Sequence, residues 1–282
     1  MVYRPWPFDV LHKRDMSRPA ARPARGVLHG AASGPITHAR TAPVEALAGV
    51  IEHFWSVAWD LRGLAPLPVQ TLPHPSVHVI IEGPTHEVTG VATRRFSRML
   101  EGKGRVFGIK FRPAMFHAVL GAPLSTLADR AVPIATVFGR AGARWAKEVS
   151  AADDQIALAE RFLVARVTDV DPLARAVRDL VERAALDRTW VKVEQLVAAS
   201  GSTLRMLQRH FRTYVGVSPK WVLQRYRLHE ANERLKANPK LELAELAAEL
   251  GYVDQSHFVR DFKALLGITP GAYAKTIAGA LG

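Results

Sequence analysis

One pattern of eight residues occurs twice between residues 192 and 271. The first copy consists of Leu196, Ala198, Gly201, Leu207, Arg209, Phe211, Gly216 and Pro219, and the second of Leu246, Ala248, Gly251, Phe258, Arg260, Phe262, Gly267 and Pro270. Corresponding residues lie 50 positions apart up to the glycine (201 to 251) and 51 afterwards (207 to 258), so the second copy has one extra residue in its turn. A duplication this regular predicts two copies of one supersecondary unit.

Each copy has the pattern of two helices joined by a tight turn. A short helix with Leu and Ala at helical spacing stops at Gly201 or Gly251, since glycine adopts the left-handed conformation that ends a helix. Thr203 and Asp254 then stand where an N-cap oxygen accepts hydrogen bonds from the free amides of the second helix. Each copy is therefore predicted to be a helix-turn-helix.

The second helix of each copy has a packing face and a polar face. The predicted packing residues are Leu204, Leu207 and Phe211 in the first copy, and Phe258, Phe262 and Leu265 in the second. The side chains left for a partner are Arg205, Gln208, Arg209 and Arg212 in the first copy, and Gln255, Ser256, Val259 and Arg260 in the second. Arginine pairs bidentately with guanine and glutamine with adenine, so these faces are candidate surfaces for reading DNA bases.

A single long helix is predicted between the two units. Ser218 followed by Pro219 is typical of a helix start, and Asn238 followed by Pro239 of a helix end. At about 1.5 Å per residue, residues 219–237 span roughly 28 Å, comparable to the ~34 Å between successive major grooves on one face of B-DNA. Residues 202–236 also contain eight Lys or Arg against two Glu, a charge that can neutralise several phosphates. One chain is thus predicted to reach two adjacent grooves.

Three motifs in this region are specific: LQRHF at 207–211, GVSP at 216–219 and GYVDQSHFVRDF at 251–262. With the linker residues Arg227, Leu228, Ala231 and Leu235, they resemble the AraC/XylS family of bacterial transcription regulators over roughly residues 172–276. The resemblance implies an AraC-type DNA-binding domain in that range.

The resemblance also implies which residues contact DNA. It assigns base reading to Arg205, Gln208 and Arg209 in the first recognition helix, and to Gln255, Ser256, Val259 and Arg260 in the second. The candidate phosphate contacts are Thr203, Arg212 and Lys220. The expected partner is double-stranded DNA; RNA polymerase, a second copy of the chain and a small-molecule effector are further candidate partners, and no membrane partner is expected.

The N-terminal half has the pattern of a second folded unit, an α+β sensor or dimerisation domain at residues 43–168. Strand-like runs occur at 53–61, 77–81, 86–92 and 106–111, and helical stretches at 44–51, 114–120, 124–130 and about 154–167. The segments FGIKFRP at 107–113, VTG at 88–90 and LADR at 127–130 resemble a little-characterised domain type that precedes AraC-like modules. Residues 1–42, which are basic and contain prolines, are predicted to be a flexible segment.

The predicted fold class is therefore an α+β N-terminal domain followed by an all-α C-terminal domain of two helix-turn-helix units joined by a long helix. Trp55, Val57 and Trp59 point to one face of a predicted strand, a pattern typical of core; a ligand pocket lined by Trp55, Trp59 and His78 is the alternative interpretation. His74 and His78 are candidate metal ligands, but residues four apart in a strand are separated by about 13 Å, which is too far for both to bind one ion. No metal, cofactor or catalytic residue is predicted.

Composition excludes several kinds of protein. The 282 residues contain no cysteine, which rules out disulfides, thiolate zinc sites and a cysteine nucleophile. The N-terminus lacks the apolar core of a secretory signal and no run is long enough to span a bilayer, so we expect a cytoplasmic protein, associated with the nucleoid when bound to DNA. Two alternatives to a sequence-specific regulator stay open: an enzyme of non-thiol chemistry in the N-terminal domain that uses the DNA module for targeting, and a non-specific nucleic-acid-binding protein.

Overall fold

The computed structural model describes residues 27–29, 35–167 and 170–281. Its N-terminal part consists of antiparallel sheets and short helices. The strands are β1 (Val27–His29), β2 (Ile36–Thr41), β3 (Ile51–Asp60), β4 (Leu67–Thr71), β5 (His78–Glu82), β6 (Thr85–Thr89), β7 (Phe96–Leu100), β8 (Lys103–Phe111) and β9 (Ala131–Pro133). The helices are α1 (Glu45–Ala48), α2 (His117–Leu120), α3 (Ile134–Ala151) and α4 (Gln155–Val164), with a 3₁₀ turn at Leu124–Thr126.

The larger sheet has the strand order β2-β3-β8-β5-β6-β9, and every neighbouring pair is antiparallel. Strands β8 and β5 form its centre and β3 pairs with β8 on the other side, so that Phe54 of β3 lies opposite Ile109 of β8 and Ile109 lies opposite Val79 of β5. These three side chains are buried on the same face, and α3 packs against the sheet at β5, β6 and β9. Trp145 of α3 stacks on Phe162 of α4 at 4.2 Å between ring centroids, so the two helices form one layer.

The opposite face of the larger sheet is also occupied by apolar side chains. The smaller sheet has the order β1-β4-β7. Trp59 of β3 is buried in a cluster with Ile36, Leu61 and Leu100, the last of which belongs to β7. Because successive side chains of a strand point to opposite faces, burial on both faces makes β3 apolar along most of its length.

The C-terminal part consists of helices. They are α5 (Pro172–Leu186), α6 (Val193–Ser200), α7 (Leu204–His210), α8 (Pro219–Ala237), α9 (Leu243–Glu249), α10 (Gln255–Leu266) and α11 (Pro270–Leu281), with a π-helical turn at Phe211–Val215 that continues α7. No helix in the described ranges is long and apolar enough to cross a membrane.

The two predicted helix-turn-helix units are confirmed as α6–α7 and α9–α10. Thr203 Oγ1 accepts a hydrogen bond from the Met206 amide at 3.3 Å, and Asp254 Oδ1 accepts one from the His257 amide at 2.7 Å. The predicted linker helix is confirmed as α8, whose first turn is capped by Ser218. The predicted N-cap side chains therefore accept the hydrogen bonds that the sequence indicated.

Several predicted boundaries in the N-terminal half are wrong. The flexible segment predicted at 1–42 contains strand β1 and, at residues 36–41, strand β2, which pairs along its whole length with β3. Residues 1–26 and 30–34 of that segment lie outside the described residues. The helix predicted at 124–130 is a 3₁₀ turn followed by Asp129 at a φ of 56°. Strands β4 and β7 and helix α3 were not predicted, since Pro68 and Arg98 interrupt the apolar alternation of the two strands.

One hydrophobic core joins the two parts of the chain. The buried side chains of the larger sheet, including Ile109 and Phe111, are continuous through Phe116 and Leu124 with Phe211 at the end of the first helix-turn-helix unit. A second cluster fills the interior of the second unit and includes Leu72, which follows β4. The N-terminal domain therefore contributes side chains to the packing of both units.

Phe116 provides a test of this joint core. It is 1% exposed and lies edge-on to Phe111 at 4.8 Å between ring centroids. We expect Phe116→Ala to lower the free energy of unfolding by about 3–5 kcal/mol, because it leaves a cavity among buried rings. Urea denaturation measures the change, and Phe96→Ala, at a residue that is 50% exposed, is the matched control. Equal losses for both variants would contradict the assigned core.

Candidate nucleic-acid interface

The first recognition helix, α7, presents a polar face to solvent. Leu207 and Phe211 are buried against the core, while Arg205, Gln208 and Arg209 are exposed. Because residues at i, i+3 and i+4 share one side of a helix, the three exposed side chains form one surface. The structure thus brings together the three candidate base readers of this unit.

The second recognition helix, α10, has the same arrangement. Phe258 and Phe262 are fully buried, and Gln255, Ser256 and Arg260 are exposed. Val259, which completes the predicted set of base readers, is partly buried, so its methyl groups are available on one side. The fourth candidate therefore offers apolar contact beside three polar groups.

Apolar side chains at the start of both recognition helices were missed as candidate contacts. Leu204, predicted to pack, is instead 47% exposed, because it lies in the first turn of α7 before the helix meets the core. Met206 is 42% exposed, and Val253, in the longer turn before α10, is 92% exposed. Apolar side chains in the major groove contact the methyl group of thymine. The one-residue insertion in the second copy is the sequence signal that could have identified Val253.

The three predicted phosphate contacts, Thr203, Arg212 and Lys220, are all exposed. The hydroxyl oxygen of Thr203 accepts the capping hydrogen bond, which leaves its proton free to be donated to a phosphate. Lys220, in the first turn of α8, lines a groove of about 300 Å³ together with Lys192, which precedes α6. The two lysines bring positive charge to this groove, which Glu194 and Asp261 also line.

Only some of the eight Lys and Arg side chains of residues 202–236 are free to contact DNA, because others are buried or paired with carboxylates. Arg225 is 7% exposed and donates from Nη2 to the carbonyl of Thr93 at 2.9 Å. Burial lowers the pKa of this guanidinium to about 10. Arg234 is paired with Glu230 and Glu249. The exposed cations of this segment are therefore those of the recognition helix and of Lys220.

Contacts inside the module tie the linker helix to the second recognition helix. Gln224 of α8 donates from Nε2 to Asp261 Oδ2 at 2.6 Å, and His257 Nε2 lies 3.5 Å from the same oxygen. The guanidinium of Arg227 lies over the ring of Tyr252 at 3.8 Å. These contacts hold α10, and the turn that precedes it, against the N-terminal half of α8.

The candidate effector residues of the N-terminal domain do not form one site. Trp55 and His78 are brought together, with ring centroids 6.1 Å apart. Trp59 lies four residues farther along β3 and packs in the separate cluster with Leu100, where its Nε1 donates to the Glu101 carbonyl at 3.0 Å. Trp59 is therefore part of this core cluster, and the structure does not bring it together with Trp55 and His78.

A polar cluster that was not predicted surrounds Trp55 and His78. Lys110 of β8 lies between His53 and His78 in the sheet register, and its Nζ donates to Glu52 Oε1 at 3.0 Å. Burial, aided by the charge of Lys110, lowers the pKa of His78 to about 3, so this ring is neutral at physiological pH. The Nε1 of Trp55 is buried and has no hydrogen-bond partner among the described residues. The lysine within an apolar strand, FGIKF, is the sequence signal for this cluster.

Within the described ranges no group of three His, Asp or Glu residues could hold a metal ion. His74, considered and rejected as a ligand, instead packs its ring against that of His229 in α8 at 4.3 Å between centroids.

Comparisons with known proteins identify both parts of the chain. Residues 196–276 match the family described as Helix-turn-helix domain, and residues 39–133 match the family described as Domain of unknown function (DUF6597). The transcriptional regulator MtrA of Neisseria gonorrhoeae is 32% identical over 83 residues, which are 29% of this chain and 27% of MtrA. Residues 196–276 are an AraC-type helix-turn-helix domain.

Other known proteins are also similar to parts of this chain. The transcriptional activator AarP of Providencia stuartii is 32% identical over 89 residues, which are 32% of this chain and 65% of AarP. The solved structure of ToxT from Vibrio cholerae O395 is similar with a TM-score of 0.35 and 12% identity, over 72% of this chain and 86% of ToxT. The chain spans 27% and 29% of the length of the first two curated relatives that it matches.

Two neighbouring arginines test the separation of base and phosphate contacts. We expect Arg209→Ala to cost about 1–3 kcal/mol of binding free energy and to relax preference at one base position, since a bidentate pair with guanine is lost. Arg212→Ala should weaken binding to all sequences equally and reduce the slope of log affinity against log salt by about 1.

Fluorescence anisotropy on the preferred duplex and its single-base variants, at several salt concentrations, measures both effects. A uniform loss across sequences for Arg209→Ala would make that residue a phosphate contact, and an unchanged salt slope for Arg212→Ala would refute its assignment.

Proposed function

We propose that this protein is a sequence-specific, DNA-binding transcription regulator that reads two successive major grooves with α7 and α10. The observation that carries the proposal is the pair of equivalent recognition helices, each with an exposed polar face, connected by the uninterrupted helix α8. The 19 residues of α8 have a length of roughly 28 Å, which suits units placed one turn of B-DNA apart.

The chemistry of the two faces supports direct reading of bases. Arg209 and Arg260 occupy equivalent positions of the two copies and are both exposed; a guanidinium at such a position pairs with the O6 and N7 atoms of guanine. Gln208 and Gln255 can pair with adenine. The exposed cations Arg212 and Lys220 then anchor the domain to phosphates, which position the protein without specifying sequence.

We propose further that the N-terminal domain modulates DNA binding in response to a small molecule held near Trp55, His78 and Lys110. The support is the cluster itself, in which a buried indole Nε1 lacks a partner among the described residues and lies beside a buried lysine. A homodimer and a contact with RNA polymerase are compatible proposals for the rest of the surface, and a cytoplasmic location follows from the proposed target.

In vitro selection of duplexes bound by the full chain tests the main proposal. We expect an enriched sequence with two elements whose centres are about 10–10.5 base pairs apart. Arg209→Ala should erode preference in one element and Arg260→Ala in the other, because the two residues are equivalent in the repeat. Sequencing of the selected pools measures the loss at each position.

The alternatives predict other outcomes. Binding that disappears under excess random duplex would support a non-specific nucleic-acid-binding protein, and duplexes recovered chemically altered would support a DNA-targeted enzyme. Erosion of the same element by both variants would contradict reading by two separate helices.

Thermal unfolding in the presence of a metabolite panel tests the effector site. A ligand that accepts a hydrogen bond from the free indole should raise the unfolding temperature of the parent protein and have a smaller effect on Trp55→Phe. Trp59→Phe is the matched control, since it removes an indole that is already bonded to Glu101. An equal ligand-induced shift in the parent and in Trp55→Phe would contradict the site.

A further inference from the structure

Two loops of the N-terminal domain contact the ends of both recognition helices. We call residues 90–95 and 124–130 together the bracket. The carbonyl of Leu124 lies against Gly216, which follows the first recognition helix and its π-helical turn. Arg95 donates from Nη1 to the carbonyl of Leu266, the last residue of α10, and its guanidinium lies against Gly267.

The two contacted glycines are equivalent positions of the repeated pattern, 51 residues apart. Gly216 has a φ of 92° and Gly267 a φ of 80°, a backbone conformation that side chains disfavour. A Cβ atom would lie 3.0 Å from the Leu124 oxygen at Gly216, and 2.8 Å from Arg95 Nη2 at Gly267. Both positions favour glycine because of their positive φ, and at Gly216 a Cβ would also crowd the backbone of Leu124, whereas at Gly267 the neighbour is the flexible end of the Arg95 side chain.

Hydrogen bonds join the two loops of the bracket to each other. Asp129 accepts from the Thr93 amide at Oδ1 and from the Thr93 hydroxyl at Oδ2, each at 2.6 Å. The Gly90 amide donates to the Arg130 carbonyl at 2.9 Å. A Cβ at Gly90 would lie 1.9 Å from the Leu127 oxygen, so the loops also touch closely through their backbones. The segments that contact the first and second units are thus joined directly to each other.

The linker helix supplies a third contact. Arg225, in the middle of α8, donates to the Thr93 carbonyl at 2.9 Å, and its guanidinium lies 4.6 Å from the ring centroid of Trp221. Thr93 is therefore bonded on one side to Asp129 and on the other to α8. Three points, one at the end of each recognition helix and one between them, fix the orientation of the units relative to the bracket.

We infer that the bracket sets the angle between the two recognition helices and thereby selects the spacing of the two sequence elements, with Arg95 and Asp129 as positioning residues. This inference rests on the proposed function for its consequence on DNA. We expect an effect on the spacing between the two elements and none on base preference within them, because neither residue belongs to the two base-reading faces. One base pair added between the elements turns one relative to the other by about 36° and displaces it by about 3.4 Å, so a fixed angle is selective.

The absence of cysteine in the sequence allows a direct measurement of this angle. Ala198→Cys and Ala248→Cys place spin labels at equivalent, exposed positions of α6 and α9. In the full chain without DNA, we expect a narrow distribution of the distance between the two labels. Arg95→Ala and Asp129→Asn should broaden or shift it, whereas Arg94→Ala, which removes the same charge from an exposed neighbour, should leave it unchanged.

The matching DNA experiment uses the selected duplex and versions with one base pair added or removed between the elements. We expect Arg95→Ala and Asp129→Asn to reduce the discrimination between spacings by roughly tenfold, with base preference inside each element unchanged. Asp129→Asn keeps the size of the side chain and tolerates the positive φ, so it tests the bracket if Arg95→Ala does not fold.

The two measurements separate the possible failures. If Arg95→Ala and Asp129→Asn both fold and both keep the distance distribution of the parent protein between the two spin labels, the inference is overturned. This holds whether or not the protein prefers any DNA sequence. A broadened distribution in a protein that selects no sequence would support the bracket and refute the proposed function. Loss of base preference without loss of spacing discrimination would also overturn the inference, because it would make Arg95 or Asp129 part of base reading.

Discussion

The continuous hydrophobic core between the larger sheet and the first helix-turn-helix unit is the interaction on which the rest of the structure depends. Short helices are marginal in water, and packing of their apolar faces provides most of their stability. In this chain, Phe116 and Leu124 of the N-terminal domain belong to the same core as Phe211 and Val215. The orientation of the first recognition helix therefore depends on packing against the N-terminal domain as well as on packing within its own unit.

The second unit is attached differently. Its interior, around Phe258, Phe262 and Tyr273, forms a cluster of its own, and Leu72 is the buried apolar side chain that the N-terminal domain contributes to it. Polar contacts add to this attachment, among them Arg95 to the Leu266 carbonyl and His229 of α8 to the Pro73 carbonyl. A single hydrogen bond contributes about 0.5–1.5 kcal/mol net, less than a buried aromatic ring. A change of relative orientation thus costs less at the second unit than at the first.

The C-terminal half of the fold was predictable because its signals are local. Thr203 and Asp254 cap helices through amides three residues away, and the linker from Pro219 to Ala237 begins and ends at residues with strong backbone preferences. Interior strands such as β3 and β8 were also predictable, since both contain runs of apolar and aromatic residues. Strands β2, β4 and β7 were not predictable: β2 and β7 are edge strands, which are defined by the partner with which they pair, and Pro68 in β4 and Arg98 in β7 hide the apolar pattern.

The sequence by itself determined the two helix-turn-helix units, their order and spacing, and the polar faces of α7 and α10. These features depend on helical periodicity and on caps that act within one turn. The tertiary structure decided which of the charged and aromatic residues are available: it buried Arg225 against Thr93, separated Trp59 from Trp55, and placed Lys110 beside His78. It also placed Arg95 and Leu124 at equivalent ends of the two units. Those relations join residues tens to more than a hundred positions apart, and no local pattern of side chains encodes a distance across the fold.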